Sequence, residues 1–343
     1  LSTEASATRE SDQANSRYGF SVSTAGDVNG DGYSDVVVGA HRYDNGDTGE
    51  GRAFLYLGSS SGLSTTASWT GESNQATAHY GVSVATAGDV NGDGYSDVIV
   101  GADGYGTETT NEGRAYLYLG SASGLSATAS WKTESNQQDA RYGCSVSTAG
   151  DVNGDGYSDV IVGAYGYKNG QANEGRAYLY LGSASGLTTT ASWITESNQA
   201  GAYFGQSVST AGDVNGDGLS DVAVGAPLYS GSVSSSGRAL IYLGTSSGLS
   251  TSASWTAESA QTGSQFGSSV SSAGDVNGDG YSDLVVGAPY YDNGQTDEGQ
   301  LSLFTGNNAG GISMVPQQRN ASDAPVQVLG GSFGSSFKIA LKA

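Results

Sequence analysis

Asp27-Val28-Asn29-Gly30-Asp31-Gly32-Tyr33-Ser34-Asp35 decides how the rest of this chain is read. Carboxylate or carboxamide oxygens stand at positions 1, 3, 5 and 9 of the stretch, and Gly32 directly follows the third of them. Alternate residues of a tight loop can all face one centre, and a glycine takes the backbone turn that a Cβ would resist. Hard oxygen donors at this spacing suit Ca²⁺, with the carbonyl of Tyr33 as the expected main-chain ligand. The string begins again at Asp89, Asp151, Asp213 and Asp275, each time 62 residues further on. One such loop is compatible with a chance polar turn; five in strict register are not.

Aligned on that loop, the chain resolves into one repeated unit, and the period overrides any two-domain division that 343 residues would suggest. In the second copy the unit opens with Tyr80-Gly81-Val82-Ser83-Val84, enters the Asp89 loop and continues as Asp97-Val98-Ile99-Val100-Gly101-Ala102. A variable turn leads to Gly113-Arg114-Ala115-Tyr116-Leu117-Tyr118-Leu119-Gly120, and a Ser/Gly/Leu connector to Ala129-Ser130-Trp131-Lys132-Thr133. All four segments are bounded by Gly, Asn, Asp or Ser clusters, as short strands are. Val98 to Val100 is an unbroken apolar run, which a strand covered on both faces requires, and no helical periodicity of any length is present. The expected class is all-β. A four-stranded sheet of this size cannot bury both faces alone, so neighbouring copies must cover it. Four strands per repeat, stacked radially, describe a β-propeller.

Residues that keep register through the copies are expected to serve the blade. Trp69, Trp131, Trp193 and Trp255 fall one period apart on the fourth strand, and Tyr43, Tyr105, Tyr167, Tyr229 and Tyr291 one period apart after the second. Both sets read as packing residues. Arg52, Arg114, Arg176 and Arg238 recur on the third strand, with Gln300 in their place in the fifth copy, and read as partners of nearby acids.

The repeats occupy residues 1–311, and their ends are irregular. Leu1 to Ala7 aligns with Leu63 to Trp69, an outer strand with no preceding three. Ile312 to Gln318 is expected to supply the fourth strand of the fifth blade. Phe333-Gly334-Ser335-Ser336-Phe337 then echoes Phe266-Gly267-Ser268-Ser269-Val270 without an Asp loop after it, so 312–343 reads as that strand plus a degenerate sixth blade or the start of a further β region. Three arrangements fit this inventory. The N-terminal strand closes the ring against 324–343, or the chain is part of a larger propeller, or the strand pairs with an unfinished blade of another molecule by strand addition.

The formal charge is −21, from 34 acidic and 13 basic residues, and fifteen of the acids are loop aspartates. Five bound Ca²⁺ would leave about −11, so much of the acidity is ligand rather than solvating surface. An acidic surface repels phosphate backbones and argues against a nucleic-acid partner. No apolar run is long enough to span a bilayer, no signal peptide is present, and Leu1 in place of Met points to a processed or incomplete start. Calcium loops of this type fill at extracellular ion levels, which places the protein outside the cell or on its surface. Cys144, the single cysteine, stands where other copies carry Phe20, Val82, Gln206 and Ser268, and reads as a small filler residue.

The order aromatic-Gly, DxNxDGxxD, Gly-Ala-(Pro) resembles the FG-GAP repeats of the integrin α-subunit propeller. The first element is Tyr18-Gly19, Tyr80-Gly81, Tyr142-Gly143, Phe204-Gly205 and Phe266-Gly267. The last is Gly39-Ala40, Gly101-Ala102, Gly163-Ala164, Gly225-Ala226-Pro227 and Gly287-Ala288-Pro289. The resemblance covers residues 8–306 and implies an integrin-α-like β-propeller of four-stranded blades, with five full repeats and partial terminal blades. It also implies Ca²⁺ in the loops between first and second strands on one face, and ligand contacts on the opposite face. The implied ligands are Asp27, Asn29, Asp31, Asp35 and the Tyr33 carbonyl; Asp89, Asn91, Asp93, Asp97 and the Tyr95 carbonyl; and Asp151, Asn153, Asp155, Asp159 and the Tyr157 carbonyl. The fourth loop offers Asp213, Asn215, Asp217, Asp221 and the Leu219 carbonyl, and the fifth Asp275, Asn277, Asp279, Asp283 and the Tyr281 carbonyl. Two features depart from the family: its propellers usually have seven blades, and only some of their blades carry a metal loop.

The copies differ most in the turns after the second strand, 41–46, 103–108, 165–170, 227–232 and 289–294, whose tyrosines and asparagines would suit a protein or glycan surface. Catalysis has little support. His41 and His79, the two histidines, sit at non-equivalent repeat positions without Ser/His/Asp or metal-ligand spacing, and nothing marks a carboxylate pair for glycoside hydrolysis. Asn320-Ala321-Ser322 fits the N-glycosylation acceptor pattern. The leading expectation is a non-catalytic extracellular adhesion or structural module, with a self-assembling surface filament subunit as one form of it. A lectin-like propeller and an accessory domain of a secreted hydrolase are the alternatives.

Overall fold

The computed structural model describes residues 5–107 and 110–307. Every regular element among them is a β-strand. The first blade is the antiparallel meander β1 (Tyr18–Gly26), β2 (Asp35–Ala40), β3 (Arg52–Tyr56) and β4 (Trp69–Glu72). The second is β5 (Tyr80–Gly88), β6 (Asp97–Ala102), β7 (Arg114–Tyr118) and β8 (Trp131–Glu134), and the third is β9 (Tyr142–Gly150), β10 (Asp159–Ala164), β11 (Arg176–Tyr180) and β12 (Trp193–Glu196). In the fourth, β13 (Ser207–Gly212), β14 (Asp221–Ala226), β15 (Arg238–Tyr242) and β18 (Trp255–Glu258) form the sheet. The two-residue strands β16 (Gly244–Thr245) and β17 (Gly248–Leu249) pair in its connector. The fifth blade shows β19 (Ser269–Gly274), β20 (Asp283–Ala288) and β21 (Gln300–Phe304). Its expected fourth strand at 312–318, the sixth-blade residues 324–343 and Asn320 lie outside the described residues. First strands of successive blades pack on one another, which puts them on the inner side of the arc and the tryptophan strands on the outside.

The second strand shows why neighbours are required. All six residues of β6 are buried, and alternate side chains leave toward different blades. Val98 and Val100 join Val37, Ala53 and Leu55 of the first blade. Ile99, with Ala115 and Leu117, joins Val160, Val162 and Tyr178 of the third. Burying each such side chain contributes roughly 1.5–3 kcal/mol relative to exposure. The tryptophans close the outer end of each junction. Trp69 lies edge-on to Tyr118 at 4.7 Å, and its indole N–H donates to the carbonyl of Ser126 at 3.0 Å in the next blade.

The inner end is closed by glycines, and here the aromatic-Gly and Gly-Ala elements acquire a shared cause. A Cβ on Gly101 would stand 1.9 Å from the carbonyl oxygen of Gly143 in the following blade. Gly39 meets Gly81, Gly163 meets Gly205 and Gly225 meets Gly267 in the same way. The second member of each pair also has positive φ, +80° at Gly143, where the first strand bulges. The two glycines thus permit the backbone contact between adjacent blades.

The N-terminal segment departs from expectation. Residues 7–10, one period before β4, form no strand, and no third strand among the described residues lies beside them. They keep the position of an outer strand nonetheless. The Arg9 guanidinium donates to the carbonyls of Ser64 at 3.0 Å and Leu63 at 2.9 Å, and stands 6.0 Å from the Tyr56 ring centroid. Trp69 makes the corresponding contacts with Ser126 and Tyr118.

Gly101→Ala is expected to destabilise the protein by about 1–3 kcal/mol through overpacking, read as a lower denaturant midpoint. An unchanged midpoint would mean that the backbones do not approach at this point.

Candidate metal loops and the opposite face

All five aspartate loops join the first strand of a blade to its second. In the second loop Asp89 Oδ1 accepts from the N–H groups of Gly92 at 2.7 Å and Asp93 at 3.1 Å, and Oδ2 from Gly94 at 2.8 Å. Asn91 Oδ1 accepts from Asp93 N–H at 3.1 Å, its amide nitrogen donates to Asp93 Oδ2 at 2.9 Å, and Asp93 Oδ1 accepts from Tyr95 N–H at 3.0 Å. These are Asx-type turns, in which a short side chain folds its own loop. The other four loops repeat them: Asp27, Asp151, Asp213 and Asp275 each accept from the glycine three residues on. In the fifth, the backbone N–H of Gly280 and its neighbours hold the Asp275 carboxyl below the usual range.

The ninth position behaves differently from the other three. Asp97 is fully buried, with Oδ2 accepting from Val90 N–H at 2.9 Å and Oδ1 from Gly120 N–H at 2.9 Å. It ties the loop to the connector after the third strand. Asp35, Asp159, Asp221 and Asp283 do the same with Gly58, Gly182, Gly244 and Gly306. Burial pushes the Asp97 carboxyl up to about 7, against the two N–H bonds, and repulsion from Asp93 and Asp89 adds to the rise.

Successive loops also touch. Ser96 N–H donates to the carbonyl of Asp27 at 2.9 Å, and the Tyr95 ring lies where a Cβ on Gly30 would be only 2.7 Å away. Gly92 meets Tyr157, Gly154 meets Leu219, and Gly216 meets Tyr281 in the same way. The loops form a continuous row along one edge of the arc.

Among the described residues no group of three or more His, Cys, Asp or Glu side chains is arranged to hold a metal ion. The donor chemistry of each loop nevertheless fits a hard divalent cation: three carboxylates and a carboxamide, with no basic side chain. The ion pairs of the described residues all lie elsewhere.

The turns after the second strands are held by the blade itself. Arg114 pairs with Glu134 at 2.6 Å and stands 3.8 Å from the Tyr105 ring centroid. Arg52, Arg176 and Arg238 pair with Glu72, Glu196 and Glu258, over Tyr43, Tyr167 and Tyr229. The arginines are therefore the structural partners expected, and these four tyrosines pack against them within their own blades.

The FG-GAP repeat model matches residues 18–56, 80–118, 144–180, 204–242 and 266–304, more than half of the chain. The chain belongs to the FG-GAP repeat family. Integrin alpha-IIb of Mus musculus is 41% identical over 160 residues, 44% of this chain and 15% of that protein. Integrin alpha-V of Gallus gallus is 35% identical over 218 residues, 61% of this chain and 20% of that protein. Phosphatidylinositol-glycan-specific phospholipase D of Bos taurus is 37% identical over 167 residues, 46% of this chain and 20% of that protein. The matched part spans a fifth or less of these relatives' length. No helix among the described residues is long and apolar enough to cross a membrane.

Two groups within the FG-GAP units escaped the reading of the sequence. Glu50, Glu112 and Glu174 are buried before the third strand, where Glu112 accepts from the backbone and hydroxyl of Thr107 and Glu174 from the backbone of Asn169. Their recurrence as Glu-Gly-Arg at the repeat period was the available signal. The second group lies at the ends of the second strands of the first two blades. His41 and His79 approach with ring centroids 5.8 Å apart, and His79 Nδ1 lies 3.0 Å from Asp103 Oδ1, with Arg141 at 3.8 Å from the same carboxylate. His41 is buried with Nδ1 unpartnered, and burial, with His79 adding to it, lowers its pKa to about 4. His41, Asp103 and Tyr165 share one register and Arg17, His79, Arg141 and Tyr203 another, so variation at a constant repeat position marked the cluster. Cys144 is a filler here: its Sγ lies 3.5 Å from the Gly205 carbonyl, and burial pushes the thiol up to about 12.

Asp97→Asn places an amide N–H against one of two buried backbone donors. It is expected to cost about 1–3 kcal/mol in the metal-free protein, measured by urea unfolding in chelator. No loss there would remove the tie between loop and connector.

Proposed function

We propose that this FG-GAP chain is an extracellular or cell-surface adhesion or structural module, without catalysis, whose blades are stabilised by Ca²⁺ in the five aspartate loops. The observation that carries the reading is the fivefold recurrence of three carboxylates in one short loop with no basic partner. Asp89, Asn91, Asp93, Asp97 and the Tyr95 carbonyl, and their equivalents at Asp27, Asp151, Asp213 and Asp275, would hold the ion. When bound, it supplies the positive charge that relieves repulsion among the carboxylates. The side chains do the rest: the ninth aspartate fixes the loop to its blade, and the residue at position 7 docks it on the preceding loop. Likeness to the integrin alpha-IIb and alpha-V chains supports an adhesive role. The turns opposite the loops, where the copies differ, are the surface for a protein ligand.

A second reading rests on the bovine phospholipase D relative. In it, the same arc serves as an accessory domain of a secreted hydrolase whose catalytic part lies outside the matched region. Assaying this chain on phosphoester and polysaccharide substrates separates the two readings, since turnover would favour an enzyme.

Millimolar calcium is expected to raise the melting temperature over that in EDTA. Each site saturated a hundredfold above its Kd adds about 2.7 kcal/mol. Asp93→Asn should remove one site from the stoichiometry in calorimetric titration. Identical melting curves with and without chelator would eliminate calcium from the account.

A further inference from the structure

We propose that the hairpin tips Asn169-Gly170 and Asn45-Gly46 are sites of spontaneous deamidation to aspartate or isoaspartate, while the fold protects the same dipeptide in the five aspartate loops. The proposal depends neither on calcium in the loops nor on a ligand at the turns.

Asn-Gly occurs eight times in the sequence, once in each aspartate loop and again at 45–46, 169–170 and 293–294. In this dipeptide the backbone nitrogen after the asparagine can attack its side chain, because glycine has no Cβ to obstruct the approach. The nitrogen first gives up its proton to hydroxide. It then bonds to the side-chain Cγ, the Cγ–Nδ2 bond breaks, and the side-chain nitrogen takes a proton from water and leaves as ammonia. Water opens the resulting five-membered imide at either carbonyl, giving aspartate or isoaspartate, and no other reactant enters. The rate therefore depends on a glycine N–H free to ionise, a side chain free to turn toward it, and access to water.

The third blade contains the dipeptide in both settings. In its loop, the Gly154 N–H donates to Asp151 Oδ1 at 2.7 Å, so the proton that must leave is held by a negative charge. Asn153 is fixed at both ends, with Oδ1 accepting from the Asp155 N–H at 3.1 Å and Nδ2 donating to Asp155 Oδ2 at 2.8 Å. Breaking a hydrogen bond to a charged group before attack slows the reaction by roughly tenfold or more. The loops of Asn29, Asn91, Asn215 and Asn277 repeat all three contacts.

The hairpin tip lacks these restraints. Asn169 and Gly170 are both exposed. The turn is held as far as Asn169: the Gln137 amide engages the carbonyl and N–H of Lys168 at 2.8 and 2.7 Å, and the Asn169 N–H donates to the buried Glu174. The Gly170 N–H, next along, donates to no group among the described residues. The Asn169 side chain has one tether, from Nδ2 to Glu196 Oε1 at 2.6 Å. Asn45 is likewise exposed and tethered through Nδ2 alone, to Glu72 at 3.0 Å.

Conversion turns that tether into a repulsion. A carboxylate replaces the donor facing Glu196, which already pairs with Arg176 at 2.6 Å, and isoaspartate also lengthens the backbone by a methylene. The fourth strand keeps its arginine and loses the tip. Each event adds a negative charge to the face opposite the aspartate loops.

The test incubates the whole chain in mildly alkaline buffer, with calcium or with EDTA. Its peptides are mapped over time by mass spectrometry, with fragmentation that distinguishes isoaspartate. Asn169 and Asn45 are expected to convert roughly tenfold or more faster than Asn153 in either buffer, giving both isomers. In urea, where the loop hydrogen bonds are lost, Asn153 should convert at a rate close to that of Asn169. Equal rates in the folded chain, or a difference that persists in urea, would overturn the proposal. So would a product free of isoaspartate, or a tip advantage that vanishes in EDTA, which would make calcium rather than the loop's own bonds the protecting element.

Discussion

Each four-stranded sheet in this protein is too thin to have an inside of its own, so the contact between neighbouring blades is the interaction on which the rest of the structure depends. The core consists of successive inter-blade layers, with Val98 and Val100 serving one and Ile99 the next. Stability in such an arrangement is built from repeat and nearest-neighbour contributions rather than from one central cluster. The contact also explains the composition. Abundant glycine would normally weaken a sheet, but at Gly39, Gly101, Gly163 and Gly225 it is the only residue that lets the next backbone pass.

Much of this was legible in the sequence because a repeat makes its own comparison. Constant register separated the structural tryptophans, tyrosines and arginines from the rest, and the observed partners, such as Arg114 with Glu134 and Trp131 with the carbonyl of Thr188, bear that reading out. The ends were less legible. Residues 7–10 carry the register of an outer strand but have no partner strand among the described residues, and strand structure depends on pairing that local sequence does not contain. The cluster of His41, His79 and Asp103 was hidden for a different reason. His79 and Asp103 meet within the second blade, because they flank the paired residues Tyr80 and Ala102, and His41 reaches them from the first blade; neither step can be read from local sequence.

The aspartate loops were legible in composition but not in their division of labour. Spacing alone makes positions 1, 3, 5 and 9 look alike. The structure shows three half-buried or exposed carboxylate or amide groups folding the turn, and a fourth, fully buried carboxylate anchoring it to the blade. Position 9 follows the loop directly into the second strand, where burial is set by neighbouring blades rather than by the loop.

The tyrosine laid over the preceding loop's glycine has a consequence of its own. Because Tyr95 rests on Gly30 and Tyr157 on Gly92, a change in rigidity at one turn is felt by the next through direct contact. Where such a contact couples two turns, reciprocity makes each neighbour influence the other equally. Leu219 against Gly154 replaces the aromatic ring with a smaller, more pliant side chain, so the third and fourth repeats form the weakest relay in the series.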